Sequence, residues 1–243
     1  MCNELQLNGG ERKMDYLKAV FFDADDTLID HKECERQALV YLFENIGIHY
    51  IDGYQDTFRP LDHALWDTES YNGNPVSRED IPIYRFKILF EKLNIDFNDY
   101  VKANELFKVG LANSVALMEG AKEIVEYLHH KGYMLCIVTN GLIELQKPRI
   151  ANSEIGEFIS HIMVSEEVGE FKPNPLIFNT LLKRIGLNPG DVIMIGDSLK
   201  NDIQGAKNAS IKSIWFNPEQ NKNETDIRPD YEINHLLQIK ELF

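Results

Sequence analysis

Cysteine is scarce in this chain, and its placement follows no pattern. Cys2, Cys34 and Cys136 form no C-x-x-C pair and no even framework, which speaks against a disulfide-stapled fold. Cys136 lies in an apolar run and is expected in the core, in keeping with a reducing cytoplasm. Long hydrophobic runs are missing too. None approaches the ~18 residues of a spanning helix, so no membrane segment is expected. The start has no basic stretch leading into an apolar one; secretion is not expected, and a cytoplasmic location is. Positive charge is the third shortage. With 25 Lys and Arg against 39 Asp and Glu, the formal charge of −14 argues against a binder of polymeric nucleic acid or of membrane surface. A phosphate substrate stays open, because a local cation can reverse the field within one cleft. No internal repeat or low-complexity segment is visible.

What is present suffices for a folded core. Of 243 residues, 44% are hydrophobic, which leaves room for one large domain or two small ones. Residues 1–13 are polar, contain Gly9-Gly10 and precede any pattern, so they read as a flexible tail. The stretch Val20-Phe21-Phe22-Asp23-Ala24-Asp25-Asp26-Thr27-Leu28 follows, an apolar strand-like run that ends in three acids within four residues. Crowded carboxylates repel one another and resist desolvation, so a fold that keeps them together compensates them. The usual compensation is a hard divalent cation, which takes oxygen ligands. Asp23 and Asp25 are two apart and on a regular strand would share a face. A solvated acidic turn is an equal reading of this motif taken alone.

From about His31 to Asn113 the sequence reads as helices. Ala38, Leu39, Leu42, Phe43 and Ile46 fall at helical spacing within Glu33–Ile46. Ser77 and Asp80 resemble a capping box ahead of Ile83, Phe86, Leu89, Phe90 and Leu93, and Tyr100–Leu117 gives a further stripe. The insertion is the size of a small helical bundle. Its Trp66, Tyr71, Tyr84 and Phe86 are expected as packing residues, and Arg59, Arg78, Arg85 and Lys87 as solvated or salt-bridged cations. His31 is expected to cap the next helix rather than face a cleft.

Beyond it, strands alternate with helices. Helices are predicted at 120–130, 142–151, 175–185 and 203–208, the third with Asn174 as N-cap and Pro175 in its first turn. Strands are predicted at 133–139, 161–164, 191–195 and 211–215. Residues 217–229 read as loop, and 232–242 as a short strand and helix. The alternation implies a three-layer α/β fold, a parallel sheet with right-handed crossovers and a helical insertion after its first strand.

Polar groups then recur just past the predicted strand ends, where open α/β sheets bind ligands. They are Asp23 and Asp25, Thr139-Asn140-Gly141, and Gly196-Asp197-Ser198 with Asp202 five residues on; Lys172 comes from a loop. Each is weak alone. Together they supply acids for a cation, an extra acid for proton transfer, and a hydroxyl, amides and an ammonium for phosphate oxygens.

The order D-x-D-x-T, T-N-G, K-P and G-D-x-x-x-N-D resembles the four-motif signature of the haloacid dehalogenase (HAD) superfamily, from about Leu17 onward. The helical insertion resembles its C1-type cap. More narrowly, Phe-Phe-Asp-Ala-Asp-Asp-Thr-Leu, Val-Thr-Asn-Gly and Ser-Glu-Glu-Val-Gly-x-x-Lys-Pro-Asn-Pro are similar to 5′-nucleotidases of the YjjG/YfnB type. The resemblance implies a Rossmann-like HAD core at 14–30 and 114–243 and an all-helical cap at 31–113. It implies Asp23 as nucleophile, Asp25 as general acid and base, and Thr139, Asn140, Gly141 and Lys172 as phosphate-binding groups. It implies Mg²⁺ held by Asp23, Asp197 and the Asp25 backbone carbonyl, with Asp202 behind them holding a metal-bound water or Lys172. Gly196 would permit the turn that aims Asp197. Metal-free dehalogenases lack an acid at the position of Asp25, so phosphoryl transfer is favoured. A nucleoside monophosphate is the expected substrate and a sugar phosphate the alternative, for a hydrolase or a mutase. A catalytically idle metabolite-binding protein is disfavoured, since no motif position is substituted. The assembly is expected to be a monomer or small homo-oligomer.

Overall fold

The computed structural model describes residue 14 and residues 16–243; the tail expected at 1–13 lies outside them. Along the chain, β1 (Ala19–Phe22) is followed by α1 (His31–Asn45), α2 (Gly53–Thr68), β2 (Ser70–Tyr71), β3 (Asn74–Pro75), α3 (Ile81–Leu93) and α4 (Tyr100–Ala112). Then come α5 (Ala121–His130), β4 (Met134–Thr139), α6 (Ile143–Asn152), β5 (Ile159–Val164), α7 (Pro175–Ile185), β6 (Val192–Gly196), α8 (Gln204–Asn208), β7 (Lys212–Phe216) and β8 (Tyr231–Ile233). The described residues form two compact units. One holds the chain through Ile29, Leu117–Ile143 and Glu154–Phe243; the other holds Asp30–Ala116 and Glu144–Ser153, so most of α6 groups with the inserted helices. Among the described residues no helix is long and apolar enough to cross a membrane.

The first unit is built on a parallel sheet in the order β5-β4-β1-β6-β7-β8. β1 is central and all four of its residues are buried, as a strand covered on both faces requires. Phe21, Cys136, Val138 and Met194 form one core with Ile177, Phe178 and Leu181 of α7. The pleat turns Val20 and Phe22 to the opposite face. There α5 packs on β4 and buries Ile124, Val125 and Leu128. Asn174 accepts the Leu176 N–H at 2.9 Å to start α7, and Gly186, at φ +70°, ends it. Burial pushes the Cys136 thiol up to about 12, which keeps it protonated and inert.

Register carries this architecture to the site. Phe22 lies level with Ile137 of β4 and Ile195 of β6. Asp23 follows Phe22 directly, and Thr139 and Asp197 lie two residues past Ile137 and Ile195, so all three come to one carboxyl edge, beside the point where the chain returns across β1. The helical segment expected at 203–208 begins at Leu199. A π-helical turn, Leu199–Ile203, precedes α8, and the Ser198 carbonyl accepts the N–H groups of both Asp202 and Ile203. The closing helix expected near the C-terminus is a 3₁₀ segment, Leu236–Glu241.

The second unit is helical but not entirely so. Ser70–Tyr71 and Asn74–Pro75 pair antiparallel, with Asn72 and Gly73 at φ +49° and +79° between them. An Asn-Gly dipeptide suits such a tight turn, and the hairpin corrects the expectation of an all-helical insertion. Asp30, not His31, caps α1 by accepting the Glu33 N–H at 2.8 Å. Asp80 and Ser77 do bond each other, at 2.7 and 3.2 Å, in the turn ahead of α3. Phe58, Phe86 and Phe107 pack with ring centroids 5.3–5.6 Å apart, and Arg85 lies among them with Asp62 at 3.0 Å and Asn104 at 3.2 Å. Arg78 pairs with Glu69 at the surface. Trp66 departs from its expected packing role and is 36% exposed. Gln146 and Arg149 of α6 are buried, with 3.5 Å between them.

Candidate active site

Lys172 is the hub of the carboxyl edge. Its ammonium donates to Asp23 Oδ1 at 2.5 Å, Asp202 Oδ1 at 2.7 Å and the Val138 carbonyl at 2.8 Å, which uses all three of its protons. The residue is 4% exposed and Asp202 is fully buried. Burial acts to lower the Lys172 pKa, but Asp202 and Asp23 override it and hold the side chain as an ammonium. The loop that delivers it is fixed by Asn140, whose Oδ1 accepts the Lys172 N–H at 2.8 Å and whose Nδ2 donates to the Lys172 carbonyl at 3.3 Å.

Asp197 and Asp202 are set by the turn after β6. Asp202 Oδ2 accepts the Ser198 N–H at 3.0 Å, so the two oxygens of this carboxylate join the turn to Lys172. Gly196 has no positive φ; it is glycine because a Cβ there would overlap the Asp202 carboxylate. That corrects the expected turn-making role: the residue provides space. Thr27, also fully buried, grips Asp197 from the loop after β1. Its Oγ1 accepts the Asp197 N–H at 3.1 Å and donates to Asp197 Oδ1 at 3.3 Å.

These groups border a cleft of about 280 Å³ lined by Asp23, Asp25, Asp197 and Asp202, by Lys172, and by Thr139, Asn140, Ser198 and Asn201. Four carboxylates therefore face one ammonium. Carboxylate oxygens of Asp23, Asp197 and Asp202 lie within 4.8 Å of one another, a set that could hold a metal ion. Burial raises Asp23 well above the ordinary carboxylate range, and Asp202 and Asp197 add to this against the pull of Lys172. Burial, then Asp202 and Asp26, push Asp197 up to about 7. A proton or a cation is needed to keep such a cluster together. Hard oxygen donors around an excess of negative charge fit a divalent ion such as Mg²⁺.

Of the site residues read from the sequence, Asp23, Asp25, Thr139, Asn140, Lys172, Asp197 and Asp202 all reach this cleft. Gly141 does not line it. Its N–H is donated to Ser165 Oγ at 3.0 Å, which ties the loop after β4 to the segment after β5 and uses the proton expected to face phosphate. The carboxylate set includes Asp202 where the expected metal set had Asp25; Asp25 was expected to contribute its backbone carbonyl, so its side chain is not required there. Thr27, Ser198 and Asn201 were given no role from the sequence. Thr27 and Asn201 stand inside the D-x-D-x-T and G-D-x-x-x-N-D strings, so the signal was present but not their partners.

A family model for haloacid dehalogenase-like hydrolases matches residues 17–210. The pyrimidine 5′-nucleotidase PynA of Streptococcus pneumoniae is 31% identical over 219 residues, 90% of this chain and 91% of its own. A glyceraldehyde 3-phosphate phosphatase of Pyrococcus furiosus is 33% identical over 202 residues, 82% and 80% of the two chains. Among solved structures, the YfnB HAD-hydrolase of Bacillus subtilis bound to magnesium is similar with a TM-score of 0.83 at 29% identity, covering 93% of this chain and 98% of its own.

Proposed function

The chain belongs to the haloacid dehalogenase-like hydrolases, and from that membership we propose that it is a Mg²⁺-dependent phosphatase acting on nucleoside 5′-monophosphates through an aspartyl phosphate. The observation that carries the reading is the buried Lys172 ammonium, 2.5 Å from Asp23 inside a ring of carboxylates. An anionic nucleophile approaching an anionic phosphate requires such a countercharge.

In this reading an oxygen of Asp23 attacks phosphorus and the ester oxygen departs. Asp25 gives that oxygen its proton, then takes one from the water that attacks the acyl phosphate, releasing inorganic phosphate and restoring Asp23. Lys172 spreads the charge between Asp23 and the phosphoryl oxygens, while the Thr139 hydroxyl and the Asn140 backbone amide orient them. Asp202 keeps Lys172 in place through its 2.7 Å bond. Asp23, Asp197 and the Asp25 backbone carbonyl would hold Mg²⁺, which when bound supplies Lewis-acid neutralisation of the phosphoryl oxygens. The nucleotide substrate is supported by the similarity to PynA, and a sugar phosphate by that to the Pyrococcus furiosus enzyme. Location in the cytoplasm accords with this reading.

The test is phosphate release from a panel of nucleoside 5′-monophosphates, sugar phosphates and small acid phosphates, each with Mg²⁺ and with EDTA. Metal-dependent release fastest on nucleoside 5′-monophosphates is the expected outcome. Activity confined to sugar phosphates would keep the chemistry and discard the nucleotide. Interconversion of sugar phosphates with little net release would make the protein a mutase, and no turnover of any kind would leave a binding role.

A further inference from the structure

We propose that Trp215 is a positioning residue for Asp197, fixing the direction of that carboxylate and with it the affinity of the cleft for a divalent cation; the inference rests on the Mg²⁺-dependent reading above. Trp215 lies on β7 and is 5% exposed. An indole has one donor, and this one is aimed at the backbone of Asp197: Nε1–H donates to the Asp197 carbonyl at 2.8 Å.

The N–H of the same peptide link, that of Ser198, donates to Asp202 Oδ2 at 3.0 Å. The link after Asp197 is thus held on both sides. The link before it is held through the Asp197 N–H, which donates to Thr27 Oγ1 at 3.1 Å. The Thr27 hydroxyl in turn donates to Asp197 Oδ1 at 3.3 Å. Hydrogen bonds from β7, from the turn after β6 and from the loop after β1 therefore define both backbone torsions of Asp197, and one also restrains its side chain. Trp215 is not among the residues lining the cleft, so it acts through Asp197 and not on substrate. Phenylalanine would fill most of the same space without the donor. Groups that orient a metal ligand from behind set metal affinity by about tenfold or more when removed.

A second consequence is optical. The chain has two tryptophans, and Trp66 belongs to the other unit. In a Trp66→Phe protein, all indole emission comes from a side chain bonded to the metal-binding turn.

The experiment is calorimetric titration of the full-length protein with Mg²⁺ alone, for wild type, Trp215→Phe, Thr27→Val and Thr27→Ser, with an emission titration of Trp66→Phe in parallel. The Kd is expected to rise about tenfold in Trp215→Phe and in Thr27→Val, and to stay within about twofold in Thr27→Ser, which keeps the hydroxyl. Trp215 emission should change with the same midpoint as the heat. A folded Trp215→Phe protein with the wild-type Kd overturns the proposal. If that variant does not fold, the emission decides: an indole silent while the heat registers binding also overturns it. Wild-type protein that binds no Mg²⁺ overturns the reading of the cleft as well, whereas normal wild-type binding with an unaltered Trp215→Phe overturns this proposal alone.

Discussion

Asp197 owes its pKa near 7 first to burial and then to Asp202 and Asp26. Its ordinary value is 3.8, so between these limits the folded state holds a proton that the unfolded state has released. The sign follows from linkage: an acid with a raised folded pKa favours folding at low pH, and that contribution is lost as pH rises through the window. Asp23 is displaced in the same direction. A divalent cation replaces those protons, so its stabilising effect grows as they leave. Melting temperatures with EDTA and with saturating Mg²⁺, compared at about pH 5.5 and about pH 8, should show the larger Mg²⁺-induced increase at the higher pH. An equal increase at both would place the ion away from these carboxylates.

At the scale of elements, α1 and α4 approach each other at a glycine. A Cβ on Gly110 would lie 2.8 Å from Ala38 Cα, 3.1 Å from the Ala38 carbonyl and 3.1 Å from Tyr41 Cβ. Two of these neighbours are backbone and cannot rotate away. Gly110→Ala should therefore force the helices apart and destabilise the protein by about 2 kcal/mol, although alanine is the better helix former. Chemical denaturation measures this, and a variant at or above wild-type stability would contradict the packing. The helical stripes of this unit were plain in the sequence, since Leu39, Leu42 and Phe43 recur on one face of α1. The hairpin was not, because two-residue strands have no periodicity to read. Nor was the burial of Arg85, whose partners Asp62 and Asn104 lie 23 and 19 residues away and meet it only in the fold.

Across the whole molecule, the parallel sheet and most residues of the cleft were legible because three strand ends carry their own polar strings: Asp23-Ala24-Asp25, Thr139-Asn140-Gly141 and Gly196-Asp197. What the strings could not convey was pairing. That Lys172 bridges Asp23 and Asp202, that Thr27 holds Asp197, and that Gly141 turns to Ser165 depend on register between strands far apart in the chain. Gly196 shows the limit well, since its reason is the volume of a side chain six residues later. Under the proposed function these pairings serve one chemistry, phosphoryl transfer to Asp23 with Mg²⁺ held beside it. The measurement that tests it most directly is phosphate release from a nucleoside 5′-monophosphate by wild type and Asp23→Asn, with Mg²⁺ and with EDTA, after circular dichroism shows equal folding. Wild type is expected to release phosphate with Mg²⁺ only, and Asp23→Asn to lose at least about 10³-fold in rate. Turnover by Asp23→Asn within about tenfold of wild type, or undiminished release in EDTA, would contradict it.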